Sequence, residues 1–274
     1  MVNKPIGVFD SGYGGLTILT EFTKKLPQYD FLYLGDNART PYGTRSFDVV
    51  YNFTLQAVEY LFNQGCELVI LACNTASAKA LRSIQQNILP PKYPTKRVLG
   101  VIRPTSEIIG NYSKSENIGI FATEGTIKSE SYLLEIKKFF PNIKVYQQAC
   151  PIWVPLIENS LYDTEGGKWF IQNDVKHLLS KNKEIDTILL ACTHYPLVSK
   201  IIAEFLPKNI QLISQGEIVA ESLVDYLKRH PEIEQKCSKN SQLLFLTTEN
   251  STDFDQKASQ FFPIMLHSKT VKLL

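Results

Sequence analysis

No two of the five cysteines stand at C-x-x-C spacing, so the chain lacks the usual framework of a structural zinc site. Their number is odd and their spacing is not that of a disulfide-stapled scaffold, which fits reduced thiols in a cytoplasmic setting. Long apolar runs are missing as well, since nothing approaches the ~20 residues of a membrane span. Met1-Val2-Asn3-Lys4-Pro5-Ile6 leads into a strand without the apolar core of a signal peptide. A cytoplasmic location and no membrane partner are therefore expected. An excess of one charge is also absent. The 29 Lys and Arg residues nearly balance 27 Asp and Glu residues, and the basic ones are scattered. Local pairs such as Lys24-Lys25 and Lys137-Lys138 read as solvated helix faces, so no nucleic-acid partner is expected. No low-complexity linker interrupts the 274 residues, a length that suits two compact lobes.

What the chain does contain is a stretch that occurs twice. Glu67-Leu68-Val69-Ile70-Leu71-Ala72-Cys73-Asn74-Thr75 returns in altered form as Asp186-Thr187-Ile188-Leu189-Leu190-Ala191-Cys192-Thr193-His194. Each copy reads as a parallel strand buried on both faces, with a cysteine emerging at its carboxyl end. In open α/β sheets ligands bind beyond those ends. A second echo links Ile6-Gly7-Val8-Phe9-Asp10-Ser11-Gly12 to Ile118-Gly119-Ile120-Phe121-Ala122-Thr123-Glu124-Gly125. The offsets, 118 − 6 = 112 and 192 − 73 = 119, are close enough to argue for two related halves.

In chain order, the strand Ile6–Phe9 and the turn Asp10–Gly15 precede an apolar helical stripe at Leu16, Leu19, Phe22 and Leu26. A glycine-rich turn of this kind offers backbone N–H groups to an anion, and a small carboxylate suits it. A strand at Phe31–Leu34 follows, then the loop Arg39-Thr40-Pro41-Tyr42-Gly43-Thr44 and a helix closed by Gly65. The order βαβαβα implies a parallel sheet with right-handed crossovers. Residues 90–105, with four prolines, read as the crossing into the second lobe. There Trp169, Phe170, Val175, Leu178 and Leu179 are expected to be core. The segments at Ile210–Ile213 and Leu243–Leu246 are expected to return to the first lobe. The predicted division is 1–98 plus 208–274 for one lobe and 99–207 for the other. The expected architecture is α/β: two similar lobes, each a mainly parallel sheet flanked by helices, with the active site in the interlobe cleft.

Two thiols on opposite walls of a cleft, one ionised and one protonated, suit removal of a proton from one face of a carbon and its return to the other. Asp10 and His194 stand where they can adjust that ionisation. Other readings stay open at this point. A cysteine at a strand end is ordinarily a small buried apolar residue, although two in matching contexts weaken that account. A hydrolase with Cys192 as nucleophile and His194 as base leaves Cys73 without a role. A two-lobed amino-acid binding protein without catalysis is the third. Cys66, Cys150 and Cys237 show no neighbourhood that suggests reactivity, and His177, His230 and His267 read as surface histidines.

The motifs Asp10-Ser11-Gly12-x-Gly14-Gly15-Leu16, Gly35-Asp36 with Pro41-Tyr42-Gly43, and Ala72-Cys73-Asn74-Thr75-Ala76 occur in one order with Cys150-Pro151, Val154-Pro155-Leu156 with Glu158, and Cys192-Thr193-His194-Tyr195-Pro196-Leu197. Jointly they resemble the glutamate racemases of the aspartate/glutamate racemase family. The resemblance implies a cofactor-independent isomerase, with no metal, that interconverts L- and D-glutamate and supplies the D-isomer for peptidoglycan. It implies Cys73 and Cys192 as the two acid/base residues, Asp10 and His194 as their partners, and Asp36 and Glu158 as further acidic residues. Substrate contacts implied are Ser11, Pro41, Tyr42, Gly43, Asn74, Thr75, Thr126 and Thr193, with Thr123 a weaker candidate. The substrate partner is glutamate, and a homodimer is an assembly the family admits. Aspartate racemase is the sibling alternative. Tyr13 and Arg103 depart from the usual pattern.

Overall fold

The computed structural model describes residues 4–273, so the opening Met1–Asn3 lies outside the described residues. The described strands, in chain order, are β1 (Ile6–Asp10), β2 (Phe31–Gly35), β3 (Leu68–Leu71), β4 (Arg97–Gly100), β5 (Asn117–Ala122), β6 (Lys144–Ala149), β7 (Thr187–Ala191), β8 (Gln211–Ser214), β9 (Leu243–Thr247) and β10 (Ser268–Thr270). They form two sheets. One has the order β10-β9-β2-β1-β3-β4 and the other β6-β5-β7-β8. Every pairing is parallel.

The order 2-1-3-4 of the first sheet recurs as 6-5-7-8 in the second, so the two cysteine-bearing strands β3 and β7 occupy equivalent places. The central strands β1, β2, β3, β5 and β7 are buried along their whole length. Helices cover both faces, which is why these strands read as continuous apolar runs. The helix Phe47–Asn63 starts at Ser46, whose hydroxyl accepts the Val49 N–H, and ends before Gly65 at φ 97°. A side chain is rarely tolerated at that angle, so glycine is the residue that lets the chain turn into β3.

Three expectations are corrected. Gln211–Ser214 does not return to the first lobe; it pairs with β7 as an edge strand of the second sheet. Arg97–Gly100, inside the supposed crossing, is an edge strand paired with β3. Edge strands are buried on one face or neither, so neither β4 nor β8 carries the double-sided apolar signal that marks β3 and β7. The boundaries at 98 and 207 therefore fall within β4 and before β8. Trp169 and Phe170 are not core: they are 58% and 39% exposed. The helix Glu165–Lys181 buries Ile171, Val175 and Leu178 instead, and at 100° per residue Trp169 projects from the opposite side.

Candidate active site

β1 pairs with β2 on one side and β3 on the other, and β5 is flanked likewise by β6 and β7. Such reversals of strand order open a crevice at the carboxyl edge. Ser11 and Cys73 emerge there from the first sheet, Thr123 and Cys192 from the second. All four line one cavity between the lobes, of about 40 Å³. By a measure in which a water needs about 10–15 Å³, that is room for about three waters.

Cys73 opens the short helix Asn74–Lys79, where its sulfur accepts the Ala76 N–H at 3.4 Å. Ser11 Oγ lies 3.5 Å from the same sulfur. Burial, and after it the Asp10 carboxylate, push the Cys73 thiol up to about 12, against the hydrogen bonds from Ser11 and Ala76. Cys73 is therefore a neutral thiol at ordinary pH. Asp10 is fully buried; it accepts the Gly12 N–H at 2.9 Å and the Thr193 hydroxyl at 3.2 Å. Burial raises its carboxyl above the ordinary range, outweighing the His194 charge and these hydrogen bonds.

Cys192 has a different setting. Its sulfur is 4.0 Å from His194 Nδ1, while His194 Nε2 lies 2.9 Å from Glu158 Oε1. Burial alone disfavours the imidazolium, yet the bonds to Cys192 and Glu158 outweigh it and push His194 up to about 10. Both ring nitrogens then carry protons, one aimed at sulfur and one at carboxylate. The close fit depends on Gly14, where a Cβ would stand 2.2 Å from Thr193 Oγ1 and 2.4 Å from His194 Nδ1.

Pro41, Tyr42 and Gly43 form one wall, and the Gly43 carbonyl accepts the Gly125 N–H of the other lobe at 2.7 Å. Asp36 does not line the cavity. It braces this wall by accepting from Arg39 Nε at 2.7 Å, from the Thr248 hydroxyl at 2.9 Å and from the Tyr42 hydroxyl. Asn74, Thr75 and Thr193 line the cavity, whereas Thr126 stands behind Thr123, with the two hydroxyls 3.0 Å apart. Thr75 closes that triad at 2.9 Å from Thr123. Glu158 lies outside the lining and acts on it through His194.

The sequence reading missed Thr40, Thr44, Glu124 and Cys150, all of which line the cavity. Glu124 had a signal, because at the offset of 112 Thr123-Glu124 takes the place of Ser11-Gly12 beyond an equivalent strand. Cys150 was set aside; its thiol is raised by burial and by Asp174, so it stays neutral. Tyr13 and Arg103 do not line the cavity. Tyr13 stacks between Phe254 and Phe261, and Arg103 pairs with Glu107 at the surface. Among the described residues no cluster of three or more His, Cys, Asp or Glu side chains is set to hold a metal ion. Nor is any described helix long and apolar enough to cross a membrane.

No protein-family profile matches the chain. It is 40% identical over 232 residues to a glutamate racemase of Geobacter metallireducens, covering 82% of this chain and 80% of that one. The chain belongs to the glutamate racemase family. Members of known structure superpose along its whole length: a glutamate racemase isoform from Bacillus anthracis gives a TM-score of 0.89 at 32% identity, covering 100% of this chain and 99% of that one. The Francisella tularensis glutamate racemase in complex with D-glutamate gives 0.85 at 34%, with the same coverage. Membership makes the chain an isomerase, an amino-acid racemase acting on glutamate.

Proposed function

We propose that the chain racemises glutamate with Cys73 and Cys192 as paired proton carriers. One observation carries the reading: two sulfurs line one cavity from equivalent strand ends of opposite lobes, in unequal electrostatic settings. The Cys192 sulfur, 4.0 Å from His194 Nδ1, is the one placed to act as base, while burial keeps a proton on Cys73. Cys192 removes the α-proton from one face, and the electron pair of that C–H bond moves onto carbon and its carboxylate. Cys73 gives its S–H proton to the opposite face and is left as thiolate. In the reverse direction the two exchange roles. The α-hydrogen is feebly acidic, so donors must meet the developing charge. We assign Ser11, Asn74, Thr75 and Thr193 to that work and the Pro41-Tyr42-Gly43 wall to the side-chain carboxylate. Asp10 and His194 tune the thiols, Glu158 acts through His194, and Asp36 and Thr126 act through the walls they brace.

The cavity is smaller than glutamate, so the lobes part to admit it and close to exclude water. Sheet membership supports lobes comprising 4–100 with 215–273, and 101–214. The exposed Trp169 and Phe170 support a homodimer, and the family's implied role supports supply of D-glutamate for peptidoglycan. Incubation of either enantiomer in heavy water should place deuterium at the α-carbon of the product enantiomer. Cys73→Ala and Cys192→Ala should each stop inversion in both directions. Native rates in either variant defeat the two-thiol reading. Binding without α-hydrogen exchange would instead indicate a non-catalytic binding protein, and faster turnover of aspartate would move the specificity.

A further inference from the structure

We propose that Gln215 is a positioning residue for the reaction: it fixes the Asn74 amide with Nδ2 as the donor offered to a carboxylate oxygen of the bound amino acid. The inference deepens the racemase reading and rests on it.

Three buried side chains from three segments form a closed ring. Asn74 opens the helix after Cys73, Tyr132 lies in the helix Ser131–Phe139 of the second lobe, and Gln215 follows β8. They are 2%, 0% and 3% exposed, so their polar atoms must bond to one another. Asn74 Nδ2 donates to Gln215 Oε1 at 2.7 Å, Gln215 Nε2 to Tyr132 Oη at 2.6 Å, and Tyr132 Oη to Asn74 Oδ1 at 2.7 Å.

The oxygen and nitrogen of an amide have nearly the same shape, so chemistry must decide which faces which. The Val101 carbonyl decides it. A carbonyl only accepts, and this one lies 3.3 Å from Gln215 Nε2. Nε2 also reaches Thr105 Oγ1 at 2.9 Å. Gln215 therefore keeps its nitrogen toward Val101, Thr105 and Tyr132, and its oxygen toward Asn74. An amide oxygen also only accepts, so Asn74 must answer with Nδ2. One of the two Nδ2 protons is held by Gln215, and the other remains for the cavity that Asn74 lines. Were Asn74 turned over, its oxygen would repel a carboxylate. Val101 follows β4 and Gln215 follows β8, the two places where the chain passes between the sheets. The same ring thus ties a cavity donor to both crossings between the sheets.

Gln215→Met keeps the length of the side chain and removes all its polar bonds. It should lower kcat/KM by about 10- to 100-fold, the scale of one hydrogen bond to a charged group, with most of the loss in kcat. Asn74→Ala should show a similar loss, and adding Gln215→Met to it should change nothing further. Should Gln215→Met fail to fold, Tyr132→Phe removes only the hydroxyl; it should cost several-fold in the native background and nothing in Asn74→Ala. A loss of equal size in both backgrounds, or a Gln215→Met protein with native kcat/KM, overturns the proposal. Failure of the racemase reading looks different, because the native protein would then incorporate no deuterium.

Discussion

Replacing His194 by glutamine removes the one positive charge beside the Cys192 sulfur while leaving an N–H able to reach Glu158. Two unit charges 4.0 Å apart interact by about 4 kcal/mol at an effective dielectric near 20. The rise of His194 from 6.5 to about 10, at about 1.4 kcal/mol per pH unit, corresponds to about 5 kcal/mol, net of burial and shared between Cys192 and Glu158. The two figures agree in scale. If most of that stabilisation reaches the transition state, kcat/KM should fall by about 100- to 1000-fold, since about 1.4 kcal/mol is tenfold in rate. Circular dichroism of the reaction started from each pure enantiomer measures it. Mirror symmetry fixes the solution equilibrium at equal amounts of both forms, so kcat/KM must drop by the same factor in both directions. Native activity should also decline as pH rises through about 10 and the imidazolium loses its proton, and the variant should lack that limb. A loss below about tenfold in a folded variant would mean that the imidazolium contributes little to the charge on sulfur.

The same histidine makes stability depend on pH. Its folded pKa is raised, so its contribution is complete below about 6.5 and is lost as pH climbs through about 10. The melting-temperature gap between native protein and His194→Gln should close over that interval; a constant gap contradicts the linkage. Asp10 has the same slope, losing stability as pH rises, but here because the fold disfavours its charged form. Its carboxyl is raised by burial, so ionised Asp10 weakens the fold above the ordinary carboxylate range. Asp10→Asn should melt higher at pH 7, by about 2–4 °C per kcal/mol relieved, yet racemise more slowly. A lower melting point rejects that account. Gly14→Ala should fold but lose most activity, because its methyl would collide with Thr193 and His194 across the cleft. Native turnover in that variant would show that the cleft yields easily.

The cysteine strands announce themselves because parallel strands covered on both sides leave unbroken apolar runs, and the residues just past them fall at the cavity. Edge strands gave no such signal, and β4 and β8 were mistaken for a crossing and a return. The amphipathic helix Glu165–Lys181 misled in the other direction, since its bulkiest apolar residues lie on the solvent side. Cys73, Cys192, Asp10 and His194 are legible from their place at strand ends. The ring through Gln215 is not. It joins positions 74, 132 and 215, and no local pattern marks a residue whose partners are so far away along the chain.

The shared strand order of the two sheets has a consequence for handedness. A protein built from one-handed monomers ordinarily tells left from right, because its pockets are themselves lopsided. If the two thiols act as proposed, halves of like strand order approach a nearly flat carbanion from either side, and a flat species has no hand of its own. Under the two-thiol reading, a chiral catalyst becomes almost even-handed by carrying the same tool twice.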